Sequence, residues 1–187
     1  AASKLHISVA HVEAGLRSFN RHMPEEINRL LTDHVSDILF APTITAASNL
    51  KNEGISSDKV QLLGDVMYDA SLYYRHKARK PKIAGVNEAK PFVLCTIHRA
   101  ENTDNTGRLT AIIQRLNQLA RHTSLILPLH PRTLTALKRI DRVSLAQSIH
   151  VIDPLGFLEM TWLLNNCSLV LTDSGGLQKE AYFYKKP

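Results

Sequence analysis

The most constraining feature of the sequence is a regular alternation, from Pro91 onward, of short apolar runs with amphipathic helical patterns. Residues 92–97 are almost continuously apolar, as a strand covered on both faces must be. Leu109, Ile112, Ile113, Leu116, Leu119 and Ala120 then recur at helical spacing and form one stripe. A second strand is expected at 125–129, a helix at 134–140, a third strand at 149–152, a helix at 157–164 and a fourth strand at 169–171. Each link between strands is long enough for a crossover helix. The expected fold class is therefore α/β, with a parallel, doubly wound sheet.

The first third has the same style. A strand is expected at 7–12, ending in Glu13-Ala14-Gly15. Pro24 opens a helix at its favoured first position, with Glu25 and Glu26 in the first turn, where the helix dipole favours negative charge. Ile27, Leu30, Leu31, Val35 and Ile38 are the expected buried stripe, with Glu25, Arg29 and Thr32 on the opposite face. Strands are also expected at 37–41 and 59–63, and a helix at 43–53 stopped by Gly54. A helix at 68–79 runs into a basic, Pro-containing connector. The expected division is thus 1–75, a connector at 76–90, and 91–187.

Composition narrows the partners. The 187 residues carry 23 Lys and Arg against 17 Asp and Glu, a net charge of +6, with 44% hydrophobic and 21% charged residues. That balance excludes disorder, collagen and coiled coil. No apolar run approaches the ~18 residues that cross a bilayer, so no membrane partner is expected. The basic residues are scattered apart from 75–82, and no aromatics interleave with that cluster as a stacking platform requires; no nucleic-acid partner is expected. Cys95 and Cys167 stand in apolar surroundings, pointing to a reducing, cytoplasmic compartment without a disulfide framework. No close metal-ligand spacing is present, so no metal is expected. Lacking an initiator Met and a signal sequence, and stopping at Pro187 straight after a helical pattern, the chain reads as an internal segment of a longer protein.

The residues just after each strand carry the chemistry, because open α/β sheets bind ligands outside the carboxyl ends of their strands. In the second half those ends hold His98-Arg99, His130-Pro131, Asp153-Pro154 and Thr172-Asp173-Ser174-Gly175-Gly176. The last runs directly into a helix pattern, which makes Ser174, Gly175 and Gly176 a ready anion site. The same residues also read as an ordinary turn with Ser174 or Asp173 as a helix cap. Glu180, about one and a half turns into that helix, can accept both hydroxyls of a ribose or stand as an exposed helix carboxylate. His98 and Arg99, with Glu101 and Asn102, offer a phosphate-facing or acid–base role, although a lone His is commonly structural. Glu13 and Glu25 can supply base and acid on the two faces of one carbon, and Arg29 can grip phosphate. As a plain i,i+4 surface pair, Glu25 and Arg29 contribute only ~0.3–0.5 kcal/mol.

Five motifs in order resemble the non-hydrolysing UDP-N-acetylglucosamine 2-epimerase family. They are His11-Val12-Glu13-Ala14-Gly15-Leu16-Arg17-Ser18, Pro24-Glu25-Glu26-Ile27-Asn28-Arg29, Gly64-Asp65-Val66, His98-Arg99-Ala100-Glu101-Asn102 and Asp173-Ser174-Gly175-Gly176-Leu177-Gln178-Lys179-Glu180-Ala181. The resemblance implies a GT-B-like fold, two Rossmann-like domains with parallel sheets facing a cleft, both incomplete in this chain. On that basis 1–75 belongs to the N-terminal domain and 91–187 to the UDP-binding C-terminal domain. It further implies interconversion of UDP-GlcNAc and UDP-ManNAc by anti elimination of UDP and re-addition, with no metal or nicotinamide cofactor. Glu13 and Glu25 match the acidic residues tied to proton transfer at C2, and His98 an essential His near the diphosphate. Arg29, Ser174, Gly175 and Gly176 match positions lining the nucleotide or its phosphates, Arg99 stands beside them as a substrate contact, and Glu180 matches the carboxylate that holds the ribose. The family's phosphate loop and a further catalytic Asp are expected upstream of Ala1.

The expected partners are thus a UDP-sugar and a second copy of the full-length chain in a homodimer. The same chemistry on UDP-2,3-diacetamido-2,3-dideoxyglucuronate is the nearest rival. A GT-B glycosyltransferase is a second, with Glu13 and Glu25 and the lack of an acceptor-site signal against it. A non-catalytic UDP-sugar-binding module is a third.

Overall fold

Two separate parallel sheets organise the chain, each built from the strand–helix alternation of its own half. The computed structural model describes residues 1–84, 90–140 and 144–187; residues 85–89 of the expected connector lie outside these. The chain divides into two units, Ala1–Asp69 and Ala70–Pro187.

The first unit opens with a 3₁₀ turn at Ala2–Leu5, then β1 (Ala10–Val12), α1 (Pro24–Val35), β2 (Ile38–Ala41), α2 (Ile44–Asn52), a 3₁₀ turn at Ser57–Lys59 and β3 (Val60–Leu62). Helix α3 (Val66–Arg75) carries the chain across the division. The strand order is β1-β2-β3, with His11 opposite Leu39 and Phe40 opposite Gln61. Ala14, Leu39, Ala41, Ala46 and Leu50 form its core. Thr43 caps α2 by accepting the Ala46 N–H at 3.1 Å. The helix ends in a Schellman closure, in which Ile55 N–H donates to the Leu50 carbonyl and Gly54 N–H to that of Lys51. Gly54 takes the left-handed φ of 82° that this closure needs.

Two expectations for this unit are corrected. Strand β1 begins at Ala10, not residue 7, because the preceding turn engages the backbone first. His6 is left-handed, Ile7 N–H returns to the Ala2 carbonyl, and the Asp37 carboxylate takes the Val9 N–H. Helix α1 also buries a different face. Ile27, Leu31, Val35 and Ile38 are exposed, Leu31 by 61%, whereas Glu26 and Asp33 are only 1% exposed. Residues seven apart share a helix face, and both acids are satisfied there by donors on each oxygen.

The second unit contains β4 (Phe92–Thr96), α4 (Ala100–Thr103), α5 (Thr106–Leu119), β5 (Ser124–Pro128), α6 (Pro131–Lys138), β6 (Ile149–Ile152), α7 (Phe157–Asn166), β7 (Leu169–Thr172) and α8 (Gly175–Phe183). Its order is β6-β5-β4-β7, all pairs parallel. Strand β4 faces two cores. Val93 and Cys95 pack with Leu109, Ile113 and Leu116 of α5, while Phe92 and Leu94 pack with Leu163 and Leu164 of α7 and Leu177 and Ala181 of α8. Both faces of the sheet are therefore covered, which is why β4 is apolar from Phe92 to Cys95.

The close packing at Gly15 gives a stability test. Its φ is 78°, and a Cβ there would sit 2.3 Å from the Ala46 carbonyl oxygen, whereas a Cβ on Gly54 would meet nothing within 4 Å. Gly54→Ala should cost only left-handed strain, about 1–2 kcal/mol, and Gly15→Ala clearly more because the backbone must also move. Urea unfolding followed by circular dichroism checks the order; equal midpoints for the two variants would refute it.

Candidate active site

In the second unit the chain leaves β4 toward β5 on one side and returns to β7 on the other. The turns after β4 and β7 diverge at this switch point and open a crevice. Asp173, directly after β7, ties those turns together. Its carboxylate accepts the backbone N–H of His98 at 3.1 Å, that of Arg99 at 3.0 Å and the Asn102 side-chain amide at 2.9 Å. His98 Nδ1 lies 2.9 Å from Oδ1 of the same carboxylate, leaving Nε2 as the nitrogen available to the crevice. Burial alone pushes the Asp173 carboxyl up, but these donors and the His98 charge outweigh it and hold the pKa below the ordinary range. Beneath them the Thr96 and Thr172 hydroxyls meet at 2.6 Å, and Thr172 Oγ1 accepts the Ser174 N–H.

Helix α8 starts at the same crevice. Ser174 caps it by accepting the Leu177 N–H at 3.3 Å. The N–H groups of Gly175 and Gly176 belong to the first turn, where no intrahelical acceptor exists. The Arg99 guanidinium approaches to 4.0 Å of where a Gly175 Cβ would stand. A cavity of about 390 Å³ opens here, with His98, His130, Ser174, Gly176 and Glu180 among its polar lining and Pro128, Leu155, Phe157 and Met160 on the apolar side. Burial pushes the Glu180 carboxyl above its ordinary value. The crevice thus joins two imidazoles, the nearby Arg99 guanidinium and helix-terminal N–H groups to an apolar wall and one carboxylate.

In the first unit Glu13 comes directly after β1 with φ 65°, a conformation costing a non-glycine residue about 1–3 kcal/mol. It lines a cavity of about 250 Å³ with Val12, Phe40, Leu63, Gly64, Val66 and Asp69, at the carboxyl edge of the three strands. Behind this turn Asp33 gathers three donors: His11 Nδ1 lies 2.6 Å away, Arg17 Nη2 2.7 Å and the Gly15 N–H 3.1 Å. Arg17 also forks onto Glu53 through Nε at 2.7 Å and Nη2 at 2.6 Å. Hydrogen bonding to Glu53 first, and to Asp33 next, holds the guanidinium charged against the cost of burial.

Arg29 does not form the i,i+4 pair with Glu25 that the spacing allows. It donates to Glu26 at 2.9 Å, and Glu25 stands exposed in the first turn of α1. Glu26 also accepts the Ser18 N–H and hydroxyl and the Phe19 N–H, each at 2.9 Å. Burial raises its pKa, yet these bonds together bring it below the ordinary carboxylate range. Of the candidate residues, His98, Ser174, Gly176 and Glu180 line one crevice, with Arg99 and Gly175 at its rim. Glu13 lines the separate cavity of the first unit, and Glu25 and Arg29 lie along α1. Sequence pattern does not single out the carboxylates of Asp173, Asp33 and Glu26 as the groups that hold these residues. The available signal is an Asp at the end of one strand and an Arg-x-x-Asn turn at the end of another.

A parallel α/β unit with a helix N-terminus and a clamped His–Arg turn at its switch point belongs to the class of folds that hold phosphate-bearing ligands. More specifically, the chain belongs to the UDP-N-acetylglucosamine 2-epimerase family, whose model matches residues 1–187. It is 54% identical over its full length to a UDP-2,3-diacetamido-2,3-dideoxy-D-glucuronate 2-epimerase of Pseudomonas aeruginosa, covering 52% of that protein. It is 45% identical to a UDP-N-acetylglucosamine 2-epimerase of Methanocaldococcus jannaschii, covering 54%. The crystal structure of a UDP-GlcNAc 2-epimerase from that archaeon, in complex with UDP-GlcNAc and UDP, superposes with a TM-score of 0.86 at 44% identity, over the whole chain and 54% of its counterpart. The Neisseria meningitidis enzyme bound to UDP-GlcNAc gives 0.82 at 32% identity, over the whole chain and 53% of its counterpart. The chain spans about half the length of the curated relatives it matches. Among the described residues no helix is long and apolar enough to cross a membrane, and no cluster of three or more His, Cys, Asp or Glu can hold a metal.

The Asp173 clamp predicts a pH dependence. Its folded pKa is depressed, so its stabilisation is fully present above the unfolded Asp value of about 3.9 and is lost as pH falls through the lower native value. Asp173→Asn should therefore lower stability at pH 7 and flatten the acid limb of the stability curve. Urea midpoints measured from pH 7 to pH 2 check this; parallel curves for the two proteins would refute it.

Proposed function

We propose that the full-length protein inverts C2 of a UDP-N-acetylhexosamine, interconverting UDP-GlcNAc and UDP-ManNAc. The observation that carries this reading is the Asp173-clamped His98–Arg99 turn beside the Ser174-capped start of α8, at one cavity with Glu180. That arrangement suits a nucleoside diphosphate. The helix N-terminus, the Arg99 guanidinium and hydrogen bonding by His98 offset diphosphate charge, which grows as the C1–O bond breaks. Glu180 is assigned the ribose hydroxyls, and the apolar wall with Phe157 the base.

Glu13 and Glu25 are assigned proton transfer at C2. One carboxylate removes the C2 proton while UDP leaves C1 from the opposite face, giving a C1=C2 double bond in a 2-acetamidoglucal. The other returns a proton to the opposite face of C2 as UDP re-adds at C1. The bonds broken in the first half are those re-formed in the second, so the reaction needs no external oxidant. Arg29 is assigned a supporting contact to the nucleotide. The compartment we propose is the cytoplasm and the assembly a homodimer, which light scattering of the full-length protein tests.

The higher identity to the Pseudomonas aeruginosa relative supports a second reading, the same inversion on UDP-2,3-diacetamido-2,3-dideoxyglucuronate. That sugar differs at C3, where an acetamido group replaces a hydroxyl, and at C6, where it carries a carboxylate. Chromatography of full-length protein with each nucleotide sugar decides between them. Release of UDP without epimer from either sugar would favour a glycosyltransferase instead.

Turnover in deuterium oxide should place deuterium at C2, because carboxylate protons exchange with solvent between elimination and re-addition; product NMR showing protium retained there would overturn the mechanism. A carboxylate–hydroxyl hydrogen bond is worth ~1.5–3 kcal/mol, so Glu180→Gln should weaken UDP binding about tenfold or more. Because burial raises the free Glu180 pKa and ribose hydroxyls would favour the ionised form, wild-type affinity should also fall as pH drops through that raised value. Calorimetry with UDP showing equal affinities and equal pH profiles for both proteins would sink the ribose assignment.

A further inference from the structure

We propose that Asp33, acting through Arg17, is a positioning residue for Glu13, an inference that rests on the 2-epimerase reading. Glu13 holds a left-handed backbone at the end of β1, where its neighbours rather than its own preference must fix it. The residues two before it, two after it and four after it all converge on one carboxylate. His11 Nδ1 lies 2.6 Å from Asp33, the Gly15 N–H 3.1 Å and Arg17 Nη2 2.7 Å, and the Asp33 side chain is fully buried.

The network is also anchored from outside the turn. Glu53, the residue that caps the C-terminus of α2, grips the Arg17 guanidinium at two points, and the Ala14 N–H donates to the Phe40 carbonyl at 3.0 Å. Ala14 in the core and the close approach of Gly15 to the Ala46 carbonyl hold one side of the turn, and the carboxylate network fixes the side that carries His11 and Arg17. A planar guanidinium held by two carboxylates admits a single orientation, and through it a single path for the backbone at Glu13. Asp33 does not line the cavity that Glu13 lines, so its effect on the reaction runs through the turn.

The test uses the full-length protein and UDP-GlcNAc. Misplacing a reacting group by about 1 Å can cost a hundredfold, so Asp33→Asn should lower kcat by about ten- to a hundredfold. KM and UDP affinity should stay within about threefold, because the nucleotide groups lie elsewhere. In a Glu13→Gln background the same change should cost nothing further, since a positioning residue acts only through the group it positions. If Asp33→Asn does not fold, Glu53→Gln carries the test. It frees one side of Arg17 and should lower kcat severalfold at unchanged KM. Folded variants with wild-type kcat, or full losses that persist without Glu13, would overturn the inference while leaving the epimerase reading intact. Wild-type protein that turns over neither nucleotide sugar would overturn both.

Discussion

A carboxylate that accepts backbone N–H groups ties a loop to a sheet and stores a negative charge at a chosen point. Each strand of a parallel sheet ends in a turn whose donors have lost the ladder, and an unpaired buried donor costs about 1–3 kcal/mol. This protein meets that demand with Asp173 in the second unit and with Asp33 and Glu26 in the first. Each accepts main-chain donors of a turn and a cationic or potentially cationic side chain besides. The turns that carry His98 and Glu13 depend on these bonds for their course.

Both turns are in this way fixed by contacts within the chain itself. The left-handed Glu13 is tolerable only because the flanking groups are over-determined, and the depressed pKa of Asp173 keeps its clamp ionised further into the acid range than an ordinary Asp. Groups fixed in advance need not be reordered when charge moves in a reaction. The same carboxylate fixes the His98 ring, taking Nδ1 and leaving the other nitrogen to the crevice.

Much of the second unit is legible in sequence because its strands are buried on both faces. Phe92 and Leu94 serve one core and Val93 and Cys95 the other, and such strands announce themselves by continuous apolarity. The turn residues at Ser174 and Gly54 obey local backbone chemistry and are equally visible, whereas the helix expected at 134–140 runs from Pro131 to Lys138, with the proline at the first position it favours. Helix α1 is not. Its apolar stripe is real as a pattern, but Glu26 and Asp33 carry the buried face, made tolerable by Ser18, Phe19 and Arg29 around the one and by His11, Gly15 and Arg17 around the other. Asp33 meets Gly15 across 18 residues, and Asp173 meets Arg99 across 74. No window on the sequence spans such pairs, so the residues that would do chemistry are readable while those that hold them are not.

The basic cluster shows the same limit from the side of charge. As a run of residues it looks available to an anionic partner, yet three of its members face aromatic rings. Lys77 Nζ stands 3.8 Å from the centre of Tyr73, the Arg75 guanidinium 5.9 Å from Tyr184 and Lys80 6.0 Å from Trp162. Contacts of this kind are worth about 0.5–1 kcal/mol each at exposed sites. Near the end of the chain Lys186 likewise donates to the Cys167 carbonyl at 2.8 Å. Part of this charge is thus engaged in packing within the chain. The net +6 is therefore a poor guide to ligands, whereas Arg99, at the rim of the crevice and 3.7 Å from Glu101, stands where an anion can reach it.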